Sequence, residues 1–375
     1  MLSIEKVDLS NRSQVNRFIE LAFRIYKGCP YWVPPFYSDM KTMLNPQKHP
    51  FYEHSEAEFY LAVRDGQDVG RLAVMKNNSF IHYHALQQAH FGLFECMDDS
   101  EAAAALFERA FAWAREHKLD HIVGPRGLSS FDGYGILTDA FDKPAMMTMV
   151  PYNYPYYERL VVEQGFKPEN DFVSFYLNGE SVKIPDEVKY IAKKVAERGQ
   201  LEVHKFKNKK ELVSWASRIA EAYNQSFLEN WEYYPLTKRE ADFMMDSMMT
   251  IADPRLIKVV TYKDKVVGFG LAFPDITPAM QRAKGHINPI SIADLLLELH
   301  RTTWVTTNGG GMVKDFQGRG GNALMYADLE KMLTDFHFKH IDIPQNADTA
   351  DQMRKDIMRF GAVPYKHHLV YNRPL

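Results

Sequence analysis

A glycine-rich segment is the part of the chain best suited to chemistry: Gly311 to Asn322 reads GMVKDFQGRGGN. The apolar stretch Thr303 to Thr307 before it predicts a β-strand. Glycine lets a backbone turn tightly with its amides accessible, and the first amides of a helix lack internal acceptors. A strand, a glycine loop and a helix in this order therefore predict a phosphate-binding site. The helix after the loop is predicted to be amphipathic, because apolar residues recur there at helical spacing, namely Met325, Leu329, Met332 and Phe336.

Two known kinds of phosphate loop fit this segment poorly. A Walker A loop needs a lysine and a hydroxyl residue after its last glycine, and neither follows here. Gly318-x-Gly320-x-x-Ala323, with Asp342 further on, satisfies the loose dinucleotide pattern. Such a domain begins with that turn, however, and only about 50 residues remain for its other strands and helices. An ordinary turn in which Asn322 caps the helix, without a ligand, stays an alternative.

The loop resembles a third kind more closely. Gln317-x-x-Gly320-x-Asn322 is similar to the Gln/Arg-x-x-Gly-x-Gly/Ala loop of the GNAT superfamily of CoA-dependent N-acyltransferases, with Asn322 in place of the final small residue. The resemblance implies that the loop amides hold the pyrophosphate of acyl-CoA, either acetyl-CoA or a longer one. Arg319 adds a guanidinium fork suited to the same anion. The implied cofactor-binding residues in this loop are Gln317, Gly318, Arg319, Gly320, Gly321 and Asn322.

Composition limits the class of protein and its partners. The chain has 375 residues, enough for two domains with their own cores. A net charge of −3 gives no electrostatic reason to expect nucleic acid. No apolar run is long enough to span a bilayer, no signal pattern opens the chain, and two cysteines cannot build a disulfide framework. The expected location is therefore the cytoplasm, and peripheral contact with a membrane is compatible with the sequence.

The chain repeats the same order of predicted elements. A hairpin is predicted from Phe59 to Val74 through an Asp-Gly turn, and a second one from Leu256 to Phe273. Val69-Gly70 and Val267-Gly268 occupy equivalent places in the two hairpins and differ by 198 positions. The glycines that end a helix near the close of each half, Gly165 and Gly361, differ by 196 positions. Two landmarks that agree this closely indicate an internal duplication.

The predicted fold class is therefore α+β, with two tandem GNAT-like domains, each a central mixed sheet flanked by helices. Their predicted limits are 1–180 and 200–375. The first copy has no glycine at its equivalent of the loop, Glu95 to Ser100, and carries three acids there that would repel a pyrophosphate. Only the C-terminal copy is predicted to bind acyl-CoA.

Short motifs along the whole chain carry a narrower resemblance. They are similar to those of a family of bacterial tandem GNAT proteins, whose relatives include bacterial ceramide synthases that move a long acyl chain to a sphingoid amine. The resemblance implies an N-acyltransferase with an amine acceptor. More narrowly, it implies that the acceptor is a long-chain or sphingoid amine. The motifs include Trp32-Val33-Pro34-Pro35, Val69-Gly70-Arg71, Gly92-x-Phe94-Glu95, Tyr152-Asn153-x-x-Tyr156-Tyr157 and Asn230-Trp231.

The GNAT resemblance also implies roles for residues around the loop. The amine attacks the thioester directly, and a backbone amide at Met312 or Val313 polarises its carbonyl. Asn346 matches a residue that contacts the pantetheine arm. The family often has a tyrosine four residues before the helix-ending glycine, where this chain has Ile357. Tyr326 and Tyr365 are the substitutes that we predict for that acid, and Tyr371, or no acid at all, stays an alternative.

The acceptor is predicted to bind beside an aromatic and acidic segment. A carboxylate near the thioester is suited to binding or deprotonating an amine, and aromatic rings to walling the pocket. Core packing of the aromatics and a turn role for Asp275 are the alternatives. No metal site is expected, because the paired histidines lack helical spacing and a third ligand. The predicted acceptor residues are Glu229, Trp231, Tyr233, Tyr234 and Asp275, the last also as a catalytic carboxylate.

Two rival functions stay open at this point. A Fem-type aminoacyl transferase also has tandem GNAT domains, but it needs tRNA contacts that the net charge does not indicate. A catalytically degenerate GNAT-like protein that binds a metabolite or a partner is consistent with Ile357 and Asn322.

Overall fold

The computed structural model describes residues 1–129, 132–146 and 150–375. The helices are α1 (Arg12–Ile25), α2 (Tyr37–Met43), α3 (Asn78–His84), α4 (Ser100–Glu116), α5 (Tyr156–Val162), α6 (Asp186–Arg198), α7 (Lys209–Ser214), α8 (Ala216–Phe227), α9 (Lys238–Ile251), α10 (Thr277–Ala283), α11 (Pro289–Arg301), α12 (Gly321–Tyr326), α13 (Leu329–Phe336) and α14 (Asp351–Arg359). The strands are β1 (Leu2–Lys6), β2 (Glu56–Arg64), β3 (Gln67–Lys76), β4 (Gln88–Cys96), β5 (His121–Gly124), β6 (Ile136–Leu137), β7 (Lys167–Asn178), β8 (Glu202–His204), β9 (Lys258–Tyr262), β10 (Lys265–Pro274), β11 (Trp304–Met312), β12 (His340–Ala347) and β13 (Val363–Pro374).

The chain forms two compact units that are not continuous in sequence. Unit 1 contains residues 1–173, 276–298 and 366–375, and unit 2 contains residues 174–275 and 299–365. Two segments from the second half of the chain thus belong to unit 1. The predicted limits, 1–180 and 200–375, are continuous stretches, so the assignment of one domain to each stretch stays a prediction.

Unit 1 is built on a mixed sheet in the order β1-β2-β3-β4-β5-β13. Its pairs are antiparallel except β4 with β5, which is parallel and starts at Gln88 opposite His121. Helix α1 buries one face on this sheet, where Phe18 meets Phe59 edge to face with ring centroids 5.5 Å apart. The side-chain oxygen of Asn11 accepts hydrogen bonds from the backbone amides of Ser13 and Gln14, which fixes where α1 begins.

Unit 2 repeats this design with a mixed sheet in the order β12-β11-β10-β9-β8. Only its β11–β12 pair is parallel among the pairs described. Helix α6 packs here, because Val195 joins Val260, Val267 and Met325 in one buried cluster. Helix α6 therefore contributes to the core of unit 2.

The predicted duplication is visible in the hairpins. Strands β3 and β10 are both ten residues long, and their ends differ by the 198 positions that the glycines indicated. Gly70 pairs with Cys96 in unit 1, and Gly268 pairs with Met312 in unit 2. A Cβ at Gly70 would lie 3.1 Å from the sulfur of Cys96, and one at Gly268 would lie 2.1 Å from that of Met312. Glycine recurs at this place because the neighbouring strand leaves no room for a side chain.

Several predicted helices differ in extent from those observed. The helix predicted from Lys210 to Phe227 is interrupted at Trp215 and forms α7 and α8. The helix predicted after the glycine loop is also interrupted, between α12 and α13. Gly165 and Gly361 do follow α5 and α14, each with a positive φ. Among the described helices, none has both the length and the hydropathy needed to cross a bilayer.

A buried histidine in β13 should make the stability of unit 1 sensitive to acid. Nε2 of His368 lies 2.9 Å from the carbonyl oxygen of Pro151, while its buried Nδ1 has no partner among the described residues. Burial lowers the pKa of His368 to about 4. Because this value lies below that of the unfolded chain, the stabilisation is complete above about pH 6.5 and is lost as the pH falls toward 4. We expect a loss of about 2 kcal/mol in the free energy of unfolding by pH 5.

The variant His368→Gln isolates this contribution. Glutamine retains an N–H donor for the Pro151 carbonyl but does not titrate. Urea unfolding at pH 7 and at pH 5 should show a drop for the wild type that exceeds that of the variant by about 2 kcal/mol. Burial also lowers the pKa of His90, so the variant should keep a residual acid sensitivity. Equal drops in the two proteins would show that His368 does not protonate on unfolding.

Candidate functional site

The candidate site lies where two parallel strands of unit 2 part. Strands β11 and β12 pair at Trp304, Val305 and Thr306, opposite His340, Ile341 and Asp342, and at no later described residue. Beyond this point β11 continues to Met312 with β10 on its other side. Beyond Asn308, the described residues of β11 have no strand paired on the edge that faces away from β10. Backbone amides on such an edge can bind an extended ligand as an added strand.

The register of β11 shows which amides point to this open edge. The amide of Val313 donates to the carbonyl of Val267 at 2.9 Å, so it is not available to a thioester. In an antiparallel ladder the hydrogen-bonded pairs alternate with non-bonded ones. Met312 and Gly310 therefore direct their amides away from β10. Of the two predicted amides, Met312 stays a candidate and Val313 does not.

The glycine loop follows β11 after a 3-10 turn at Lys314–Phe316. Gly318 and Gly320 adopt positive φ values of 71° and 83°, which explains the need for glycine there. The side-chain amide of Gln317 donates to the carbonyl of Met312 at 3.2 Å and ties the loop back to its strand. Gly320, not Asn322, is the residue that precedes α12, so the predicted cap by the asparagine side chain is not observed. The loop amides up to the first turn of α12 lie where a helix offers them no acceptor.

Helix α6 packs against the glycine loop at Gly320. A Cβ at Gly320 would lie 2.6 Å from Cγ2 of Val195 and 3.1 Å from Cγ2 of Ile191. Any side chain at this position would therefore disturb the packing as well as a ligand. In contrast, a Cβ at Gly318 would meet nothing within 4 Å. Gly318 is thus the position where the loop can be changed without altering the core of unit 2.

The charged groups near the loop are few. The guanidinium of Arg319 lies 5.1 Å from the ring centroid of Phe316, an arrangement that holds the arginine over the 3-10 turn. Lys314 is exposed and forms an ion pair with Glu229, one of the predicted acceptor residues. Asn346 lies on β12 beyond its pairing with β11, and its side-chain amide donates to the carbonyl of Ile343 at 3.0 Å. Asn346 thus lies on the part of β12 that follows its pairing with β11, and its contact with a pantetheine arm stays a prediction.

A buried carboxylate and a tyrosine occupy the point where the strands part. Asp342 is 1% exposed, and it accepts hydrogen bonds from the hydroxyls of Tyr365 and, at 3.3 Å, Thr306. Burial and the charges of Asp342 and then Asp275 raise the pKa of Tyr365 far above its usual value. Tyr365 therefore remains a hydrogen-bond donor at any working pH. The predictions named Tyr365 and Asp275 but assigned no catalytic role to Asp342.

The signal that identifies Asp342 was present in the sequence. A single carboxylate interrupts the apolar strand His340–Ile343, and an ionised group at a buried position must be paired. Its significance depends on the parallel pairing with Thr306, which the sequence does not specify.

Tyr326 and Ile357 lie in unit 2 away from Asp342. Ile357 stands at the position where the GNAT family often has a tyrosine. The ring of Tyr326 packs against Phe360 with centroids 5.1 Å apart, and burial raises its pKa to about 12. Ile357, which stands where the family has a tyrosine, is buried in α14. Tyr326 makes no contact with Asp342 or Tyr365 in the described structure, so the structure brings together only one of the two predicted tyrosines with a carboxylate.

The predicted acceptor residues divide into two groups. Tyr233 and Tyr234 are buried, and the hydroxyl of Tyr233 donates to the side chain of Asn224 at 2.7 Å. Their burial agrees with the alternative that these rings pack in the core. Asp275 is also buried, and its amide donates to the carbonyl of Trp304 beside the parallel pair. Glu229 is exposed and Trp231 is partly buried.

The corresponding segment of unit 1 is shorter and carries its own acids. Three residues join β4 to α4, whereas eight join β11 to α12. The side chain of Asp99 caps α4 by accepting from the amide of Ala102, so it occupies the place of an anionic ligand. Asp99 also binds Arg64, and Asp98 binds Arg159. These contacts support the prediction of one acyl-CoA site, in the C-terminal copy. No group of residues suited to a metal ion occurs in the described parts of the chain.

Comparisons with known proteins agree with this geometry. No protein-family model matches the chain. It is 27% identical to a bacterial ceramide synthase of Caulobacter vibrioides over 302 residues, 78% of this chain and 76% of the relative. It is 24% identical to the protein YghO of Escherichia coli over 372 residues, 97% of this chain and 94% of that protein. A solved tandem GNAT protein from the clavulanic acid biosynthesis pathway aligns over 100% of this chain and 98% of its own, with 13% identity and a TM-score of 0.56.

The chain has the fold of tandem GNAT proteins, with mixed sheets flanked by helices, and the predicted fold class is confirmed. The low identity limits what this likeness shows to the fold.

Proposed function

We propose that the chain is an N-acyltransferase that passes an acyl group from acyl-CoA to an amine. The observation that carries the proposal is the parting of β11 and β12 in front of a glycine loop on the same strand. The loop amides suit a pyrophosphate, and the open edge of β11 suits an extended arm that bonds to alternate amides. A general acyltransferase function also agrees with the names of the relatives.

The distance along β11 decides where the thioester must lie. At about 3.3 Å per residue, Gly310 lies roughly 13 Å from Thr306 and Met312 roughly 20 Å. A thioester carbonyl held by the Gly310 amide is therefore nearer to Asp342 and Tyr365 than one held by Met312. The strand bulges between these points, where Gly309 has a φ of 92°. We place the carbonyl at Gly310 and the pantetheine arm toward Met312 and the loop.

The residues at the parting then have separate tasks. The amide of Gly310 stabilises the oxyanion that forms when the amine attacks the carbonyl carbon. Over this distance a chain of several waters along the parted strands must carry to Asp342 the proton that the attacking nitrogen loses. Tyr365 donates to Asp342 and holds the carboxylate in place, and the departing thiolate takes its proton from solvent. The C–S bond breaks as the C–N bond forms, and the products are an amide and free CoA.

The acceptor class is the finer part of the proposal. The ceramide synthase name of one relative favours a long-chain or sphingoid amine. An aromatic layer of Tyr223, Phe227 and Phe269 packs beside the glycines of β11, with Tyr223 and Phe269 stacked at 5.2 Å. Such a layer suits the apolar chain of a lipid better than a short polar amine.

The first experiment is a thermal-shift titration with CoA, acetyl-CoA, palmitoyl-CoA and NAD. Ligands that bind the native state raise the melting temperature by mass action. A larger shift with palmitoyl-CoA than with acetyl-CoA would support the long-chain donor. No shift with any CoA would contradict the proposed site, and a shift with NAD alone would revive the dinucleotide alternative.

The variant Tyr365→Phe tests the catalytic assignment. We expect it to lower kcat for acyl transfer by about 10²-fold, because Asp342 loses the hydroxyl that holds its carboxylate in place. Transfer from palmitoyl-CoA to sphinganine is followed by thiol release and by mass spectrometry of the amide. The thermal shift with CoA should be unchanged, since Tyr365 lies far from the loop. An unchanged kcat would exclude Tyr365 from catalysis.

A binding protein without catalysis is the second candidate, and one observation favours it. Ile357 is buried where related enzymes place a tyrosine. If this candidate is right, CoA compounds raise the melting temperature but no amine in a broad panel is acylated. Turnover with any amine contradicts it.

A further inference from the structure

Helix α11 of unit 1 shows its apolar side to solvent and its polar side to the protein. Its buried residues are Ser291 and Glu298, 7% and 8% exposed. A surface helix normally buries its apolar stripe. At 100° per residue, the exposed apolar side chains of α11 point roughly 90–150° away from the direction of Ser291 and Glu298. The exposed large apolar residues of this segment are Ile287 (51%), Ile290 (83%), Ile292 (46%), Leu296 (56%) and Leu297 (50%).

Ion pairs and a cap fix the helix in this orientation. Arg282 on α10 donates to both carboxylate oxygens of Asp294, at 2.7 and 3.1 Å, and also binds Glu298. The side chain of Asn288 accepts from the amides of Ile290 and Ser291, both at 3.0 Å. Rolling the apolar side inward would break the bidentate pair of Arg282 with Asp294 and its contact with Glu298, whose side chain is 11% exposed. The exposed apolar side is thus built into the structure.

The charges around this side are positive. The acids between residues 277 and 301 are Asp294 and Glu298, and both bind Arg282 on the buried side. Lys284 before the helix and Arg301 at its end form no ion pair with any described residue and are exposed. Within residues 277–301, cations therefore lie at both ends of the apolar side, and both acids are paired with Arg282.

An aromatic residue lies beside the start of the helix. The amide of Tyr37 donates to the carbonyl of Gly285 at 2.9 Å, and its ring stacks on His286 with centroids 4.9 Å apart. Tyrosine rings with one apolar and one polar end concentrate at membrane–water interfaces. Gln281 on α10 also binds the carbonyls of Pro30 and Trp32, which fixes the neighbouring aromatic segment to the same helix pair.

We propose that the exposed side of α11 docks on the surface of an anionic phospholipid bilayer. A helix with an apolar side and flanking cations lies in the interface, where apolar burial and attraction to anionic lipids act together. A second copy of the chain fits less well. A stable dimer uses about 20–30 residues and roughly 800 Å² from each partner, more than one side of a 13-residue helix provides. This inference does not depend on the proposed catalytic activity.

Vesicle sedimentation of the full chain tests the docking surface. One set of vesicles contains only phosphatidylcholine, and the other an equal mixture of phosphatidylcholine and phosphatidylglycerol. We expect the wild type to bind the mixed vesicles, and the double variant Ile290→Ser/Leu297→Ser to bind them at least tenfold more weakly. Serine removes apolar surface without adding charge. The matched control is Leu86→Ser/Val162→Ser, which removes two exposed apolar side chains elsewhere in unit 1 and should bind like the wild type.

Each remaining outcome decides the proposal. Lys284→Gln/Arg301→Gln should reduce the preference for the anionic vesicles and leave the residual apolar binding. A wild type that stays in the supernatant with both vesicle types overturns the proposal, and so does a double variant that sediments like the wild type. A dimer in analytical ultracentrifugation that the Ile290→Ser/Leu297→Ser change dissociates would assign the surface to a second copy instead. Thermal shifts with CoA are expected to be the same in all these variants.

Discussion

Replacing Arg71 with alanine is expected to destabilise unit 1 by about 3–5 kcal/mol, because the change leaves a buried carboxylate without its cation. Arg71 lies on β3 with its side chain 5% exposed, and its Nη2 is 3.8 Å from Oε1 of Glu95. The hydroxyls of Tyr26 and Tyr157 lie 2.8 and 2.6 Å from the other oxygen of Glu95. Burial raises the pKa of Glu95, and the guanidinium of Arg71 opposes this shift and stabilises the charged carboxylate.

A double-mutant cycle separates the charge pair from the packing of the arginine. Arg71 also donates to the carbonyl of Phe18 at 2.6 Å, and its guanidinium lies 4.9 Å from that ring. We expect Arg71→Ala/Glu95→Gln to be more stable than Arg71→Ala alone, because glutamine removes the unpaired charge. Urea denaturation of the wild type, both single variants and the double variant gives the coupling energy. Additive losses would mean that the two charges do not stabilise each other.

The Arg71–Glu95 pair lies in unit 1 at the place that corresponds to the proposed ligand site of unit 2. Glu95 precedes Cys96, the residue that corresponds to Met312 by its pairing with the hairpin glycine. The corresponding place in unit 2 is Gly311, on the open part of β11. At this position unit 1 thus has a carboxylate that is paired with its own arginine, and unit 2 has a glycine without a side chain. The acids in the first copy argued against a second pyrophosphate site, and the contacts of Glu95 give that argument a structural basis.

The sequence predicted best the features that short stretches determine. The hairpins were found because apolar residues alternate around turn residues, and the spacing of Val69-Gly70 and Val267-Gly268 located the repeat. The glycine loop was found because positive φ values at Gly318 and Gly320 require that residue. These signals are local, so one chain is enough to recognise them.

The features that the sequence did not predict depend on contacts between distant segments. Asp342 becomes a candidate base only because β12 pairs with β11 in parallel and parts from it at that residue. Helix α11 has an apolar pattern typical of a buried helix, and only its ion pairs with Arg282 show that it is turned outward. The assignment of β13 to unit 1 follows from its pairing with β5. Periodicity alone specifies neither pairing nor which side of a helix is covered.

The loop assignment allows the sharpest test of ligand binding, through Gly318. We expect Gly318→Asp to weaken CoA binding by about 30–100-fold, while Gly318→Asn changes it little. Both side chains tolerate the positive φ of this position, and both have open space there. They have nearly the same shape and differ by one negative charge. That charge would lie within several ångströms of a bound pyrophosphate, where the repulsion is about 2–3 kcal/mol at an effective dielectric constant near 20.

Isothermal titration with CoA measures both affinities, and thermal unfolding without ligand shows whether the two variants are equally stable. Gly320→Asp is a poorer choice, because its Cβ would collide with Val195 and lower the stability of unit 2 whatever the ligand does. Raising the ionic strength should narrow the difference between the aspartate and asparagine variants, since salt screens a charge at an exposed loop. If both variants bind CoA with the affinity of the wild type, the pyrophosphate does not lie on this loop. If both lose binding equally, the backbone conformation of Gly318 matters and the charge does not.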